Sequence, residues 1–132
     1  MIKIFVSTYW KSMLVVLIIT VLSVYPFSSG LNIPHFKCQD KLIHTFMYVA
    51  LAFFLWYDTY SACNPKSGGR LLLSIILLFP TIYGGFIEII QDLFFPPRTA
   101  EWLDWAADIV GSVIGFMLAL FLLRKKWKKT NY

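Results

Sequence analysis

Charge is what this sequence has least of. Only 14% of its 132 residues are Asp, Glu, Lys or Arg, where a soluble domain of ordinary composition carries about a quarter. That shortage excludes an intrinsically disordered chain, which needs charge and few apolar residues. Two cysteines are too few for a disulfide scaffold, and neither Cys38 nor Cys63 has a second Cys at metal-ligand spacing. Seven glycines and six prolines follow no period, which excludes a collagen-like repeat. There is no Gly-rich phosphate loop, no nucleophile-plus-base signature and no internal repeat. What fills the chain is apolar: 58% hydrophobic residues, 18% aromatics and a mean hydropathy of +0.67. This is the composition of a protein that uses the bilayer as its solvent.

Four apolar stretches are each long enough to cross a hydrocarbon core, which takes about 20 helical residues. They run from about Lys11 to Phe27, Asp40 to Tyr57, Arg70 to Phe95 and Ala100 to Leu123. Their apolarity is continuous rather than alternating, so helices are expected and not barrel strands. Short connections separate them, marked by Asn64-Pro65, Gly68-Gly69 and Pro96-Pro97. The expected fold is all-α: one four-helix transmembrane bundle occupying residues 1–132. The first segment also resembles a signal peptide, with basic residues before an apolar run, but the region after it offers little of a cleavage site; a retained helix is expected.

The formal net charge of +5 resolves by side. With both termini in the cytoplasm, Lys3, Lys11, Lys66, Arg70, Arg124, Lys125, Lys126, Lys128 and Lys129 lie inside. Only Lys37, Lys41 and Arg98 lie outside. This asymmetry predicts cytoplasmic termini. The basic C-terminal run reads as a juxtamembrane anchor with Trp127 at headgroup depth, and no nucleic-acid partner is expected. On this map the two cysteines lie on opposite faces and cannot pair.

Six of the seven acidic residues, Asp40, Glu88, Asp92, Glu101, Asp104 and Asp108, fall on the outer side, leaving Asp58 inside with a few hydroxyls. An ionisable group within a membrane helix costs about 2.5–3.5 kcal/mol to insert, so it usually faces the protein interior and serves a purpose. On the second helix Asp40, His44 and Tyr48 lie at i, i+4, i+8, on one stripe. On the third, Gly84, Glu88 and Gln91 share a face, above a kink expected at Pro80. On the fourth, Asp104 and Asp108 continue into Gly111-x-x-x-Gly115, a small-residue packing motif. Stripes at one depth satisfy one another only by meeting in the bundle centre. Phe94, Phe95, Trp102 and Trp105 read as an interfacial aromatic belt.

These residues resemble the VanZ-like family of bacterial membrane proteins. The resemblance lies in Asp40-Lys41-x-x-His44-x-x-x-Tyr48, in Gly85-x-x-Glu88-x-x-Gln91, in Arg98, and in Asp104-x-x-x-Asp108-x-x-Gly111-x-x-x-Gly115. Where the family pattern usually has Asn, this chain has Asp108, which adds a negative charge. The resemblance implies a small multi-pass protein of the bacterial cytoplasmic membrane, and its namesake is associated with resistance to the glycopeptide teicoplanin. It implies no settled activity.

Two readings of the outer cluster therefore stay open. In the first, the cluster binds or processes a lipid-linked or envelope molecule, such as a cell-wall intermediate. His44, Glu88 and Asp104 are then the candidate acid/base groups, and Asp40, Lys41, Tyr48, Gln91, Arg98 and Asp108 the binding residues. No cofactor is expected, although Glu88, Asp104 and Asp108 offer oxygen ligands to a divalent cation. In the second, the chain is a non-catalytic interaction protein and the cluster only holds the bundle together. Whether the chain is an enzyme stays open. A third reading, ion or proton movement, is disfavoured because no polar route crosses the inner half.

Overall fold

The computed structural model describes residues 2–24, 39–62, 69–95 and 101–130, without the side chains at 2, 4, 69–74 and 123–130. Those residues form four helices: α1 (Ile2–Val24), α2 (Gln39–Ala62), α3 (Gly69–Phe94) and α4 (Trp102–Thr130). Backbone groups have no other partner in hydrocarbon, so long apolar runs fold as helices that satisfy themselves. The segments Phe5–Val24, Gln39–Ala62, Ile75–Phe94 and Trp102–Leu122 are each long and apolar enough to cross a membrane. The chain is an all-α, multi-pass membrane protein. Cys38, Cys63, Lys37 and Arg98 lie outside the described residues.

α1, α2 and α4 each continue past an end of the apolar run from which they are anticipated. α1 begins at Ile2, nine residues before Lys11, and its backbone departs from helical geometry at Tyr9 (φ −102°, ψ 15°). α3 passes through Pro80 as one helix, with the proline fully buried. α4 continues to Thr130, because Lys and Arg are good helix formers and complement the negative end of the helix dipole. α2 continues past Tyr57 to Ala62, taking Asp58 into the bundle.

α1 and α3 run one way, α2 and α4 the other. Gln91 reaches Ser23 at one end of the bundle, and Lys11 and Ser12 reach Asp58 at the other. The tightest packing lies between the parallel pair α2 and α4. A Cβ added at Gly111 would collide with the backbone carbonyl of Thr45, and one at Gly115 with that of Val49. Both pairs step by four residues, so the two backbones stay in contact over successive turns, as small-xxx-small packing requires. One apolar core, Val15, Ile19, Tyr48 and Leu51, joins α1 to α2. A second, Trp56, Ile76, Phe116 and Ala119, joins α2, α3 and α4 nearer the other end. Outward-facing residues such as Leu17, Phe46, Ile82 and Phe121 are exposed and apolar, a lipid-facing surface. Membrane-embedded hydroxyls bond back to their own helix, as Thr20 does to Val16, Thr45 to Lys41, Thr81 to Leu77 and Ser112 to Asp108.

Candidate functional site

The three polar stripes meet at the end of the bundle where α2 and α4 begin. His44 Nδ1 and Asp108 Oδ1 lie 3.0 Å apart, and both residues are buried. The Gly111 and Gly115 contacts bring α2 and α4 close enough for this pair, one turn away, to touch. Glu88, 5% exposed, projects from α3 toward the start of α4, where its Oε2 accepts the backbone N–H of Glu101 at 3.2 Å. Glu101 immediately precedes α4, and its carbonyl accepts the amides of Asp104 and Trp105. Glu88 thus places an anion at a helix N-terminus, where free N–H groups and the dipole favour it. One ring nitrogen of His44 and one carboxylate oxygen each of Glu88 and Asp108 lie within 4.8 Å of one another.

Two buried oxygens in this cluster have no hydrogen-bond partner among the described residues: Glu88 Oε1 and the hydroxyl of Tyr48, whose residue is 1% exposed. Tyr48 lies one turn below His44 on the same face of α2. Gly84 explains how it fits. A Cβ there would lie 2.6 Å from Asp108 Oδ2 and 3.2 Å from the Tyr48 hydroxyl, so the missing side chain leaves a notch into which both oxygens point.

The rim is a separate arrangement. Lys41 donates to Glu101 Oε2 at 2.8 Å and to Asp104 Oδ1 at 3.0 Å. Asp104 therefore belongs with Lys41 rather than with Glu88 and Asp108, and Lys41 is already engaged by two carboxylates. Asp40 is exposed in the first turn of α2 and takes part in none of the cluster's hydrogen bonds among the described residues. Gln91 is buried and donates to the Ser23 carbonyl at 2.8 Å, tying α3 to α1 beside the cluster. Of the anticipated site residues, the structure thus gathers His44, Tyr48, Glu88 and Asp108 in the interior and Lys41 with Asp104 at the rim. The aromatic belt divides likewise. Trp102 and Phe94 are exposed, whereas Trp105 donates to the Thr81 carbonyl at 2.9 Å and packs over Gly85.

Reading the sequence alone misses a second polar site, at the opposite end. Asp58 is fully buried; its Oδ2 accepts from the Ser12 hydroxyl at 2.7 Å and the Ser12 amide at 3.0 Å, and Lys11 Nζ lies 3.4 Å from Oδ1. The break at Tyr9 frees amides in the following turn, and Asp58 caps one of them from the neighbouring helix. The signal was available: one acid directly after the second apolar run, with Ser12 and Lys11 at matching depth on an antiparallel first helix. Comparison with protein-family models, with curated proteins and with solved structures finds no match to the chain.

Proposed function

We propose that this chain is a VanZ-like protein of the bacterial cytoplasmic membrane, with both termini cytoplasmic, whose cluster at the start of α2 and α4 faces outward and binds or processes a lipid-linked or other envelope molecule. The observation that carries this reading is the buried set His44, Glu88 and Asp108, within 4.8 Å, beside two buried oxygens without partners. Polar groups that serve only as glue in an apolar medium are expected to satisfy one another, because each one left open is costly. A cluster that leaves Glu88 Oε1 and the Tyr48 hydroxyl open is built to receive something. His44 and Glu88 are the acid/base candidates, since each has a buried carboxylate, imidazole or amide partner that fixes its position. Sidedness rests on the Lys and Arg distribution.

The resistance phenotype of the family's namesake supplies the assay. In cells that depend on this protein for glycopeptide resistance, Glu88→Gln and His44→Ala should each abolish resistance while the protein stays at wild-type abundance in the membrane. Retained resistance in both variants would overturn the reading. A second reading, a scaffold or interaction protein, is favoured by Lys41, whose charge is already spent on Glu101 and Asp104 and so is not held ready for an anionic ligand. Under that reading resistance falls only as far as abundance falls.

A further inference from the structure

We propose that His44, Glu88 and Asp108 bind one divalent first-row transition-metal ion, of the manganese, iron or zinc kind, at the Gly84 notch. This deepens the reading of the cluster as a working site and rests on it. The sequence suggested oxygen ligands from Glu88, Asp104 and Asp108. The structure replaces Asp104, which pairs with Lys41, by His44.

Three observations meet here. The first is distance. Ligand atoms lie about 2.0–2.2 Å from such an ion, so two of them at a tetrahedral angle are about 3.3–3.6 Å apart. The three donors lie within 4.8 Å, and side-chain shifts of about 1 Å close the set. The second is charge. Among the described residues Glu88, Glu101, Asp104 and Asp108 face Lys41 and His44 alone, and Lys41 is taken up at the rim. Among the described residues the two buried carboxylates have no fixed cation, and a dication balances them. The third is the open valence. Glu88 Oε1 has no partner, and Asp108 Oδ2 and the Tyr48 hydroxyl converge where a Cβ at Gly84 would stand.

Donor chemistry selects the ion. A hard Mg²⁺ or Ca²⁺ site is built from oxygens alone, whereas imidazole with two carboxylates suits manganese, iron or zinc. Three protein ligands leave coordination positions vacant for a substrate oxygen or water. The bound ion turns a net-acidic cluster into one able to receive an anionic headgroup oxygen, such as that of a phosphate. This is the part that Lys41 is not placed to play. Tyr48 then stands beside the ion as a hydrogen-bond donor.

The test uses the full chain purified in detergent, stripped with a chelator, desalted, and given MnCl₂ or ZnCl₂ separately. Bound metal per chain and melting temperature are measured. Wild type should retain one ion per chain and melt higher with it. Glu88→Gln should lose affinity at least about tenfold, since even residues that merely support a ligand cost that much, and Asp104→Asn should keep wild-type affinity. Equal uptake by wild type and Glu88→Gln would overturn the proposal. Should Glu88→Gln not fold, wild type alone decides: a chelator-reversible rise in melting temperature supports the ion, and no rise overturns it. Failure of the ion and failure of the functional reading are separable. No uptake by wild type, with resistance still lost in Glu88→Gln, removes the ion alone. Uptake by wild type, with resistance intact in both Glu88→Gln and His44→Ala, removes the function alone.

Discussion

The two ends of this bundle bury carboxylates in opposite ways. At one end Asp58 meets a complete set of donors: the Ser12 amide, the Ser12 hydroxyl and Lys11, all from adjacent positions of one helix. At the other end Glu88 and Asp108 share one imidazole and one amide, and two buried oxygens stay open. Burial of charge is common to both, so burial alone does not mark a working site. The distinguishing feature is whether the neighbours suffice. Asp58 is a lock between α1 and α2, and under the proposed function the His44 end is a receptacle.

The largest effect should come from opening the lock. Asp58→Ala leaves the Ser12 amide and hydroxyl without an acceptor inside the bundle, and it should lower stability by about 3 kcal/mol, read as melting temperature in detergent. A loss no larger than that of a lipid-facing substitution would erase the distinction between the ends. Next in size is Gly111→Ala. Its methyl meets the Thr45 carbonyl, which is backbone and cannot swing aside, so α2 and α4 must separate at a cost of about 1–3 kcal/mol. Separation should pull His44 from Asp108 and leave the α1–α2 lock intact. Hydrogen exchange should therefore stay slow at the Ser12 amide and quicken along α4.

The fold was largely legible in the sequence, and the site only in part, for physical reasons. Helix existence follows from apolar length, but helix ends do not. Ile2–Trp10 and Arg124–Thr130 are helical although charge bounds the apolar runs there, because the interface tolerates Lys and Arg on a continuing helix. The stripe His44–Tyr48, the stripe Gly84–Glu88–Gln91 and the Asp108–Gly111–Gly115 face were readable because the helical period alone puts them on one side. Asp104 was not separable from Asp108, since an i, i+4 pair shares a face yet can take different partners at different depths. Nothing on its own helix marks Asp58 as part of a site. Its partners, Lys11 and Ser12, are 47 and 46 residues away and become visible only once α1 lies antiparallel to α2.

A sharper form of the comparison applies one isosteric swap to both ends. In Glu88→Gln a buried carboxylate charge is removed where Oε1 has no partner, while the retained oxygen still takes the Glu101 amide. With no metal added, stability should rise by about 1 kcal/mol as function is lost. In Asp58→Asn the amide enters a ring of donors and charge assistance is lost, so the same swap should lower stability. Melting curves of the two variants in chelator settle the signs. Equal signs would mean that the ends do not differ as described.

The smallest effect is expected at the rim, and its smallness is informative. Lys41 and Glu101 are 2.8 Å apart, but the Glu101 side chain is 53% exposed and the Lys41 side chain 30%. An exposed pair at the membrane surface exchanges with water and is screened by salt, and many such pairs contribute nothing measurable. Glu101→Gln also spares what matters below it. The bond to Glu88 comes from the Glu101 backbone N–H, and Lys41 keeps Asp104. The variant should therefore melt with wild type at physiological salt. A loss approaching that of Asp58→Ala would show that the rim ion pairs, not the glycine contacts of α2 and α4, hold this end closed. It would then be a lock like the other.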